Sequence, residues 1–294
     1  MLSVLINNYN NGPWIRACVD SVLAQTLPPD EIILYDDGST DDSLAILDSY
    51  RDRIRVISGV HNDELRGFES QALAIHRGLM ASSGDHLYLL DGDDYYLPDH
   101  LERYEAHWQN NPVFVMIHGS MSMVDAEGNQ QGSLYRADRD QIDYRKAIYR
   151  YNETDYFYPT SSLAFRRDFL LRELPLDFSD GVAACVDAKL SFAAVFAGPI
   201  GFVQQDTARY RFRPNSLSAL EGWHKMTRIE ETRQRAWIFN SVAQARGHPP
   251  VRLWLNPRYV MQLARQLLPG WISNPFVKWK LSRYRRMKNK RNSP

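Results

Sequence analysis

The chain has 294 residues, of which 44% are hydrophobic and 24% charged, a composition that excludes wholesale disorder and supplies a sizeable core. Lys and Arg balance Asp and Glu at 35 each, but residues 232–294 contain 14 Lys and Arg and no acidic residue, so an acidic body (−14) carries a basic tail (+14). The two cysteines, Cys18 and Cys185, are too few for a disulfide scaffold and indicate a reducing compartment.

Short apolar, partly β-branched runs predict four strands in the first ninety residues, at 2–6, 31–35, 54–57 and 86–90. Helical patterns separate them, at 13–23, at 42–49 behind N-cap residues, and at 68–81. This alternation predicts a parallel sheet with right-handed crossovers. Because such sheets bind ligands beyond the carboxyl ends of their strands, we expect functional residues just after each strand.

Two adjacent carboxylates, Asp36 and Asp37, follow the second strand directly and precede Gly38 and Ser39. One interpretation is that the carboxylates hydrogen-bond a ribose or a base edge of a ligand. The other is a turn and helix N-cap, for which Ser39 and Asp41 suffice. The residues by themselves leave both interpretations open.

Three carboxylates within four residues, Asp91, Asp93 and Asp94, follow the fourth and most apolar strand. They repel one another, and a hard divalent cation removes that repulsion. Mg²⁺ typically takes one or two protein carboxylates together with phosphate oxygens, and Gly92 lets the backbone approach such phosphates closely. An acidic surface turn is the alternative, but the position at the ligand-binding edge of the sheet favours a cation site.

Beyond residue 110 the regular alternation ends. The pattern there predicts strands at 113–117 and 121–124, a turn at 125–129, an irregular segment at 135–160, weaker strands at 161–165 and 200–203, and a helix at 187–196.

The basic tail combines an amphipathic stripe with a cationic end. The stripe consists of Val260, Leu263, Ala264, Leu267 and Leu268, and residues 276–291 add eight Lys and Arg among aromatic residues. Such helices suit an anionic membrane surface or nucleic acid, and packing onto the body explains 258–268 equally well. Because the acidic body disfavours nucleic acid, we expect a membrane surface and no nucleic-acid partner.

Four segments stand in a specific order: LSVLINNYN from residue 2, SVLAQT from 21, EIILYDDGSTD from 31 and LLDGDD from 89. In that order they resemble the family 2 glycosyltransferases of the GT-A fold, and the resemblance continues through PTSSLAFRR from 159 and YRFRPN from 210. It implies a Rossmann-like, mostly parallel α/β sheet with flanking helices. The implied parts are a nucleotide-sugar-binding half (1–95), an acceptor-binding half (96–222) and a C-terminal helical basic extension (223–294).

The resemblance implies an inverting transfer of a hexose or related sugar from a nucleotide-sugar donor to a hydroxyl group of a glycan or lipid-linked acceptor, as in polysaccharide synthesis. It also implies a Mg²⁺ or Mn²⁺ cofactor held by Asp93 with Asp91. A cation there stabilises the departing diphosphate in the transition state.

By the same resemblance, the nucleotide sugar is bound by Asn7, Tyr9, Asp36, Asp37, Asp91 and Arg213. The family often has Tyr-Arg-x-His where this chain has Tyr210-Arg211-Phe212-Arg213. Because Arg does not ligate metals but binds phosphate bidentately, we interpret Arg213 as a diphosphate clamp.

An inverting displacement needs a base that deprotonates the acceptor hydroxyl from the opposite face of the sugar. The family places an acidic residue at the start of a helix in the third quarter of the chain, and Asp187 is the best match. Asp180 competes with it, and Asp177 is a weaker candidate. The alternative for Asp187 is a carboxylate that the helix dipole favours at an N-terminus.

Two other functions are weighed against this one. A sugar-nucleotide nucleotidylyltransferase needs a Gly-rich, basic phosphate loop after the first strand, which residues 7–12 do not supply. A non-catalytic sugar- or nucleic-acid-binding module has no need for Asp91, Asp93 and Asp187 together. The start of the chain lacks a basic n-region, and no run of 18 apolar residues occurs. We therefore expect a cytoplasmic enzyme, peripheral on the inner face of the cell membrane.

Overall fold

The computed structural model describes residues 1–133, 143–157, 159–179, 185–213, 216 and 226–267. The chain forms two compact units. The first comprises Met1–Asp143 and Phe157–Glu221, and the second comprises Tyr144–Tyr156 and Gly222–Pro294. The finer division of function between 1–95, 96–222 and 223–294 stays a prediction.

The strands of the first unit are, within the described residues, β1 (Leu2–Asn8), β2 (Glu31–Asp36), β3 (Arg55–Ser58), β4 (His86–Asp91), β5 (Tyr95–Tyr96), β6 (Met116–Val124), β7 (Gln130–Ser133), β8 (Leu163–Arg166) and β9 (Ile200–Arg211). They form one sheet in the order β3-β2-β1-β4-β8-β6-β9-β5, with β7 paired to β6. The first four strands pair in parallel, as do β6 and β9. Strands β5, β7 and β8 pair antiparallel.

The described helices are α1 (Gly12–Leu23), α2 (Ser43–Leu47), α3 (Gly67–Ala81), α4 (His100–Asn110), α5 (Tyr144–Tyr151), α6 (Arg167–Glu173), α7 (Val186–Ala197), α8 (Arg228–Ala245) and α9 (Pro257–Leu267). Short 3₁₀ turns follow α2 (Asp48–Tyr50), precede β8 (Thr160–Ser162) and precede α9 (Leu253–Leu255). Helix α5 belongs to the second unit with α8 and α9. The predicted α/β class with flanking helices is confirmed.

Burial explains why the amino-terminal strands and helices were predictable. The central strands β1 and β4 are covered on both faces, so their sequences are nearly continuous apolar runs, as is typical of parallel strands. Helix α1 buries Ile15, Cys18, Val19 and Val22 at helical spacing. The spacing of apolar residues in the sequence therefore matches the spacing of the residues that the fold buries.

Two predictions downstream were wrong. The strands predicted at 113–117 and 121–124 are the single strand β6, because His118, Ser120 and Ser122 are buried polar residues that interrupt the apolar pattern but not the strand. The segment 135–160, predicted to be irregular, contains α5, which buries Tyr144 and Ile148 one helical turn apart.

In the second unit, helix α9 buries Tyr259, Met261 and Ala264. Of the predicted stripe, Ala264 is therefore buried, and Val260 and Leu263 are half-buried. Leu267 is 69% exposed, whereas Leu268 and residues 276–291 lie outside the described residues. Tyr259 Oη accepts a hydrogen bond of 2.7 Å from Arg233 Nε of α8. Among the described helices, none is long and apolar enough to cross a bilayer.

Candidate active site

The carboxyl ends of β1, β2 and β4 meet at one edge of the sheet. The strand register places Asn8 beside Asp36 and Asn7 beside Asp91. A cavity of about 1040 Å³ lies at this edge. Of the predicted site residues, the cavity is lined by Asn7, Tyr9, Asp37, Asp91, Asp93 and Arg213. The sequence prediction that strand ends build one site is therefore supported by these six residues.

Asp36 lies in the wall behind the cavity, which corrects its predicted contact with the nucleotide. Its side chain is fully buried. The carboxylate accepts hydrogen bonds from Asn8 Nδ2 (2.7 Å), from Ser39 Oγ (2.6 Å) and from the Ser39 backbone N–H (2.9 Å). Asp36 thus fixes the loop after β2 instead of facing a ligand, and for this residue the turn interpretation was the right one.

Asp37 faces the cavity beside an aromatic pair. Its Oδ2 lies 2.7 Å from His61 Nδ1, and the His61 ring stacks on Tyr9 with centroids 4.1 Å apart. Burial raises the pKa of Asp37, and the hydrogen bond from His61 partly offsets that rise. Tyr9 is 40% exposed. An exposed ring and a carboxylate acceptor side by side suit a nucleobase, which offers a π-face and N–H donors.

Asp91 is held by neutral donors rather than by a cation. Its Oδ1 accepts hydrogen bonds from Asn7 Nδ2 (2.9 Å) and Gln71 Nε2 (2.8 Å). Burial of the carboxyl, together with the neighbouring charges of Asp93 and Asp187, raises the pKa of Asp91 to about 7, although both amide donors lower it. Asp91 therefore titrates near neutral pH and has amide donors, but no cationic partner, among the described residues.

Asp93 is paired with a cation that comes from far along the chain. Arg213 Nε donates to Asp93 Oδ2 at 2.7 Å, and both side chains are 14% exposed. Arg213 Nη2 also donates to Asn11 Oδ1 at 2.6 Å, and the guanidinium carbon lies 4.5 Å from the centroid of the Trp14 ring. The structure thus brings Arg213, which was predicted to clamp the diphosphate, beside the carboxylate cluster.

Asp94, the third carboxylate of the cluster, supports the backbone. It is buried, and it accepts hydrogen bonds from Ser161 Oγ (2.6 Å) and from the Arg211 backbone N–H (2.8 Å). Ser161 Oγ in turn accepts from the Asp91 backbone N–H at 3.0 Å. Burial and the charges of Asp93 and Asp91 raise the pKa of Asp94 well above its usual range. Asp94 therefore connects the loop after β4 to the 3₁₀ turn before β8 and to the end of β9.

Asp187 lies in the first turn of α7, as predicted, and is half-buried. Its charge contributes to the raised pKa of Asp91, so the two carboxylates are within electrostatic reach of each other. Among the competing candidates, Asp177 is exposed and accepts a hydrogen bond from the Ser179 backbone N–H at 2.8 Å. Asp180 lies outside the described residues.

The donor atoms of the cavity fit a divalent cation shared with a ligand. Within the described residues, no three His, Cys, Asp or Glu side chains form a ready metal cage. However, Asn7 Oδ1 is buried without a hydrogen-bond partner, and Asp91 and Asp93 each have one carboxylate oxygen engaged and one that accepts no hydrogen bond from a described residue. One or two carboxylates completed by phosphate oxygens is the arrangement that Mg²⁺ prefers.

Several residues of the site were absent from the sequence prediction. His61 follows β3 at the same sheet edge as Asp37, so the strand-end argument, extended to the third strand, points to it. Trp14 lies in the first turn of α1 and Gln71 in the second turn of α3, and neither belongs to a motif that the sequence analysis identified. Their roles depend on contacts with residues 20 or more positions away.

Comparison with known proteins gives consistent results. The model of glycosyl transferase family 2 matches residues 3–174. An uncharacterised glycosyltransferase of Nostoc sp. is 29% identical over 81% of this chain and 72% of its own length. Glycosyltransferase GlyG of Streptococcus pneumoniae is 27% identical over 75% and 74%, respectively. Residues 1–349 of S. aureus TarS, in complex with UDP-GlcNAc, share the fold with a TM-score of 0.61 at 15% identity, covering 88% of this chain and 71% of that one.

The raised pKa of Asp91 predicts a stability that depends on pH. In the unfolded chain Asp91 ionises near pH 4, whereas in the folded protein it ionises near pH 7. The folded state therefore holds this proton more tightly, and the free energy of unfolding falls as the pH rises from about 4 to about 7. The test is urea unfolding of the Asp91→Asn variant and the unmodified protein in EDTA at two pH values. The change in free energy of unfolding caused by the substitution should be more favourable at pH ~8 than at pH ~4 by about 1–3 kcal/mol.

Asp52→Asn is the matched control, since Asp52 is a surface carboxylate with a 79% exposed side chain. It should change stability by less than about 0.5 kcal/mol at either pH. The same stability change for Asp91→Asn at both pH values would show that the folded protein does not hold Asp91 with a raised pKa.

Proposed function

The chain belongs to glycosyl transferase family 2, and from this premise we propose that it moves a hexose or a related sugar from a nucleoside-diphosphate sugar to a hydroxyl group of a glycan or lipid-linked acceptor in polysaccharide synthesis. The observation that carries this proposal is the meeting of a stacking ring, a buried acceptor carboxylate and two cation-compatible carboxylates in one cavity. TarS, which shares the fold, binds UDP-GlcNAc and UDP in its crystal structures, and these are ligands of the proposed class.

The nucleoside end of the donor is assigned to the wall formed by β1 and β2. The exposed face of Tyr9 stacks on the base, and Asp37 accepts a hydrogen bond from a base N–H while His61 fixes its second oxygen at 2.7 Å. Asn7, at the end of β1, is assigned to contact the nucleotide next to Asp91. A cavity of about 1040 Å³ is at the upper end of the range for small-ligand sites, about 300–1,000 Å³, which suits a nucleotide sugar.

The charges of the cavity support a cation-dependent site. Its described lining contains five Asp residues, at 37, 41, 42, 91 and 93, against Arg213 and His61. A diphosphate brings further negative charge, so its binding here needs additional positive charge. We assign Asp93, assisted by Asp91, to hold Mg²⁺ or Mn²⁺. When bound, such a cation neutralises the charge that develops on the departing diphosphate.

Arg213 is assigned to the leaving diphosphate and Asp187 to the attacking acceptor hydroxyl. The planar guanidinium of Arg213 binds the diphosphate and stabilises its charge as the bond to the sugar breaks. Asp187 takes the proton of the acceptor hydroxyl, whose oxygen then attacks the anomeric carbon from the face opposite the diphosphate. The new glycosidic bond is therefore formed with inversion.

The basic tail is assigned to an anionic membrane surface on the inner face of the cytoplasmic membrane. Part of the basic charge is already used within the second unit, since Arg235 pairs with Asp155 at 3.6 Å and Arg258 with Glu153 at 2.5 Å. The attraction to lipid is therefore assigned to the eight Lys and Arg of 276–291, which lie outside the described residues. Each contributes about 1 kcal/mol near an anionic surface.

Thermal unfolding with a panel of nucleotide sugars tests the donor site. The matching donor should raise the melting temperature by about 5–10 °C at a hundredfold excess over its Kd, and only with Mn²⁺ present. Asp93→Ala should abolish this protection without changing the fold, because it removes the proposed cation ligand.

Asp52→Ala, which removes a surface carboxylate, is the control for Asp93→Ala and should keep the protection. Asp94→Ala should instead lower the melting temperature of the free protein, since it removes the buried acceptor of Ser161 and Arg211. Full activity in EDTA, or unchanged turnover by Asp93→Ala, would rule out the cation assignment.

Substitution of the proposed base separates acceptor chemistry from donor binding. Asp187→Asn should lower kcat by about 10²–10⁴, the usual loss on removing a general base, and should leave donor affinity unchanged. The measurement is steady-state transfer alongside donor titration. Asp177→Asn and Asp180→Asn serve as comparisons, and a kcat loss confined to Asp180→Asn would transfer the role of base to Asp180.

Vesicle co-sedimentation tests the tail. The full chain should bind anionic vesicles, and the binding should weaken as salt is raised because the attraction between charges is screened. A chain truncated after Gly270 should bind at least about tenfold more weakly, since it lacks eight charges worth about 1 kcal/mol each. Equal binding by both chains, or tight binding to neutral vesicles, would exclude an electrostatic anchor. Preference for RNA over anionic vesicles would favour the nucleic-acid interpretation.

A further inference from the structure

The carboxylate assigned to the cation already carries a positive partner from the protein itself. We propose that Arg213 is a built-in counter-cation for Asp93, so that the free protein binds a divalent cation weakly and takes it up together with the diphosphate. This inference rests on the proposed function, since it concerns the order in which the ligands of that site bind. It follows from the contacts of one guanidinium group.

The first contact is the ion pair. Arg213 Nε and Asp93 Oδ2 are 2.7 Å apart, and each side chain is only 14% exposed. Water screens such a pair far less than a surface pair. A divalent cation that approaches Asp93 therefore meets a fixed positive charge within hydrogen-bond distance of its ligand. The two cations repel each other, and this repulsion weakens binding of the second one.

Two further contacts keep Arg213 in this position. Its Nη2 donates to Asn11 Oδ1 at 2.6 Å, and its guanidinium lies over Trp14 at 4.5 Å, a distance that allows a cation–π interaction. Trp14 is itself fixed, because its Nε1 donates to the Ala126 carbonyl at 3.1 Å. The contacts with Asp93, Asn11 and Trp14 fix the Arg213 side chain within the site.

The neighbouring Arg211 has a different task. Its backbone N–H donates to Asp94 Oδ1 at 2.8 Å, and its Nε donates to the Asp93 carbonyl at 2.9 Å. Arg211 thus fixes the backbone that presents Asp93, while Arg213 neutralises the Asp93 side chain. Arg211 therefore makes the backbone contacts, and Arg213 makes the ion pair with the Asp93 carboxylate.

A diphosphate offers Arg213 a second partner. Guanidinium binds phosphate oxygens through two parallel hydrogen bonds, so a donor in the cavity can draw Arg213 from Asp93 and leave the carboxylate to the cation. The Arg at position 213 therefore couples cation binding to nucleotide binding in this chain.

Binding of Mn²⁺ alone, followed by the electron paramagnetic resonance signal of free Mn²⁺, tests this coupling without any sugar transfer. Arg213→Gln should bind Mn²⁺ at least about tenfold more tightly than the unmodified protein, because a repelling charge is removed. The double variant Arg213→Gln with Asp93→Asn should lose that gain, which locates it at Asp93. Arg209→Gln is the matched control: it removes an Arg whose Nη1 lies 3.9 Å from Asp206, and it should not change Mn²⁺ affinity.

Arg213→Lys guards against misfolding of the Gln variant, since it keeps the charge and loses the fork. Its Mn²⁺ affinity should stay within about threefold of the unmodified protein, because the repelling charge remains. Inorganic pyrophosphate should raise Mn²⁺ affinity more in the unmodified protein than in Arg213→Gln. No gain of Mn²⁺ affinity in Arg213→Gln, or the same gain in Arg213→Lys, would overturn the inference.

The outcomes also separate this inference from the proposed function. A gain in Mn²⁺ affinity that depends on Asp93 supports the counter-cation even if no nucleotide sugar is a substrate, a result that would overturn the proposed function alone. Mn²⁺-dependent sugar transfer with unchanged Mn²⁺ affinity in Arg213→Gln would support the proposed function and overturn the counter-cation.

Discussion

Repulsion among three carboxylates at the end of β4 is the constraint on which the site depends. Asp91, Asp93 and Asp94 lie within four residues and are all largely removed from water, where like charges interact strongly. Each is held by a different means. Asp94 accepts hydrogen bonds from Ser161 and from the backbone of β9, Asp93 is paired with Arg213, and Asp91 receives amide donors while its pKa rises. As a result, Asp94 supports the fold, whereas Asp91 and Asp93 line the cavity and remain available to a ligand.

The asparagine-rich end of β1 makes this arrangement possible. Asn7 donates to Asp91 and Asn8 to Asp36, while Asn11 accepts from Arg213 and Asn10 Oδ1 accepts from the Thr40 backbone N–H at 2.8 Å. An amide offers both a donor and an acceptor without adding charge. The segment therefore connects the acidic ends of β2 and β4 to Arg213, the only arginine among the described residues that line the cavity. Because the asparagine side chains are neutral, they add no further negative charge to the cavity. Tight packing adds to this: a Cβ on Gly92 would lie 2.7 Å from Asn8 Oδ1.

The same site shows how stability and function oppose each other. A carboxyl group with a raised pKa lowers the free energy of unfolding at neutral pH. The same carboxyl group, once ionised, is a suitable ligand for a divalent cation that also binds the diphosphate. The structure carries this cost both at Asp91 in the cavity and at the buried Asp94 beside it. Hydrogen bonds from Ser161 and from the Arg211 backbone reduce the cost at Asp94. The buried carboxylate of Asp36 accepts three hydrogen bonds, so its oxygens are partnered within the protein. Asp187, in the first turn of α7, adds a further negative charge beside Asp91, where the helix dipole favours it.

The sequence by itself determined the strands and helices of the first ninety residues, the placement of acidic motifs at strand ends and the family. These depend on hydrophobic period and local chemistry, which a linear pattern records. Only the tertiary structure decided between Asp36 and Asp37, because successive side chains of an extended segment point to opposite sides, and which side faces the cavity depends on the packing. It alone decided that Asp93 pairs with Arg213, 120 positions away, and that His61 joins Asp37. Contacts between distant residues are selected by the whole fold, and no local pattern in the chain records them.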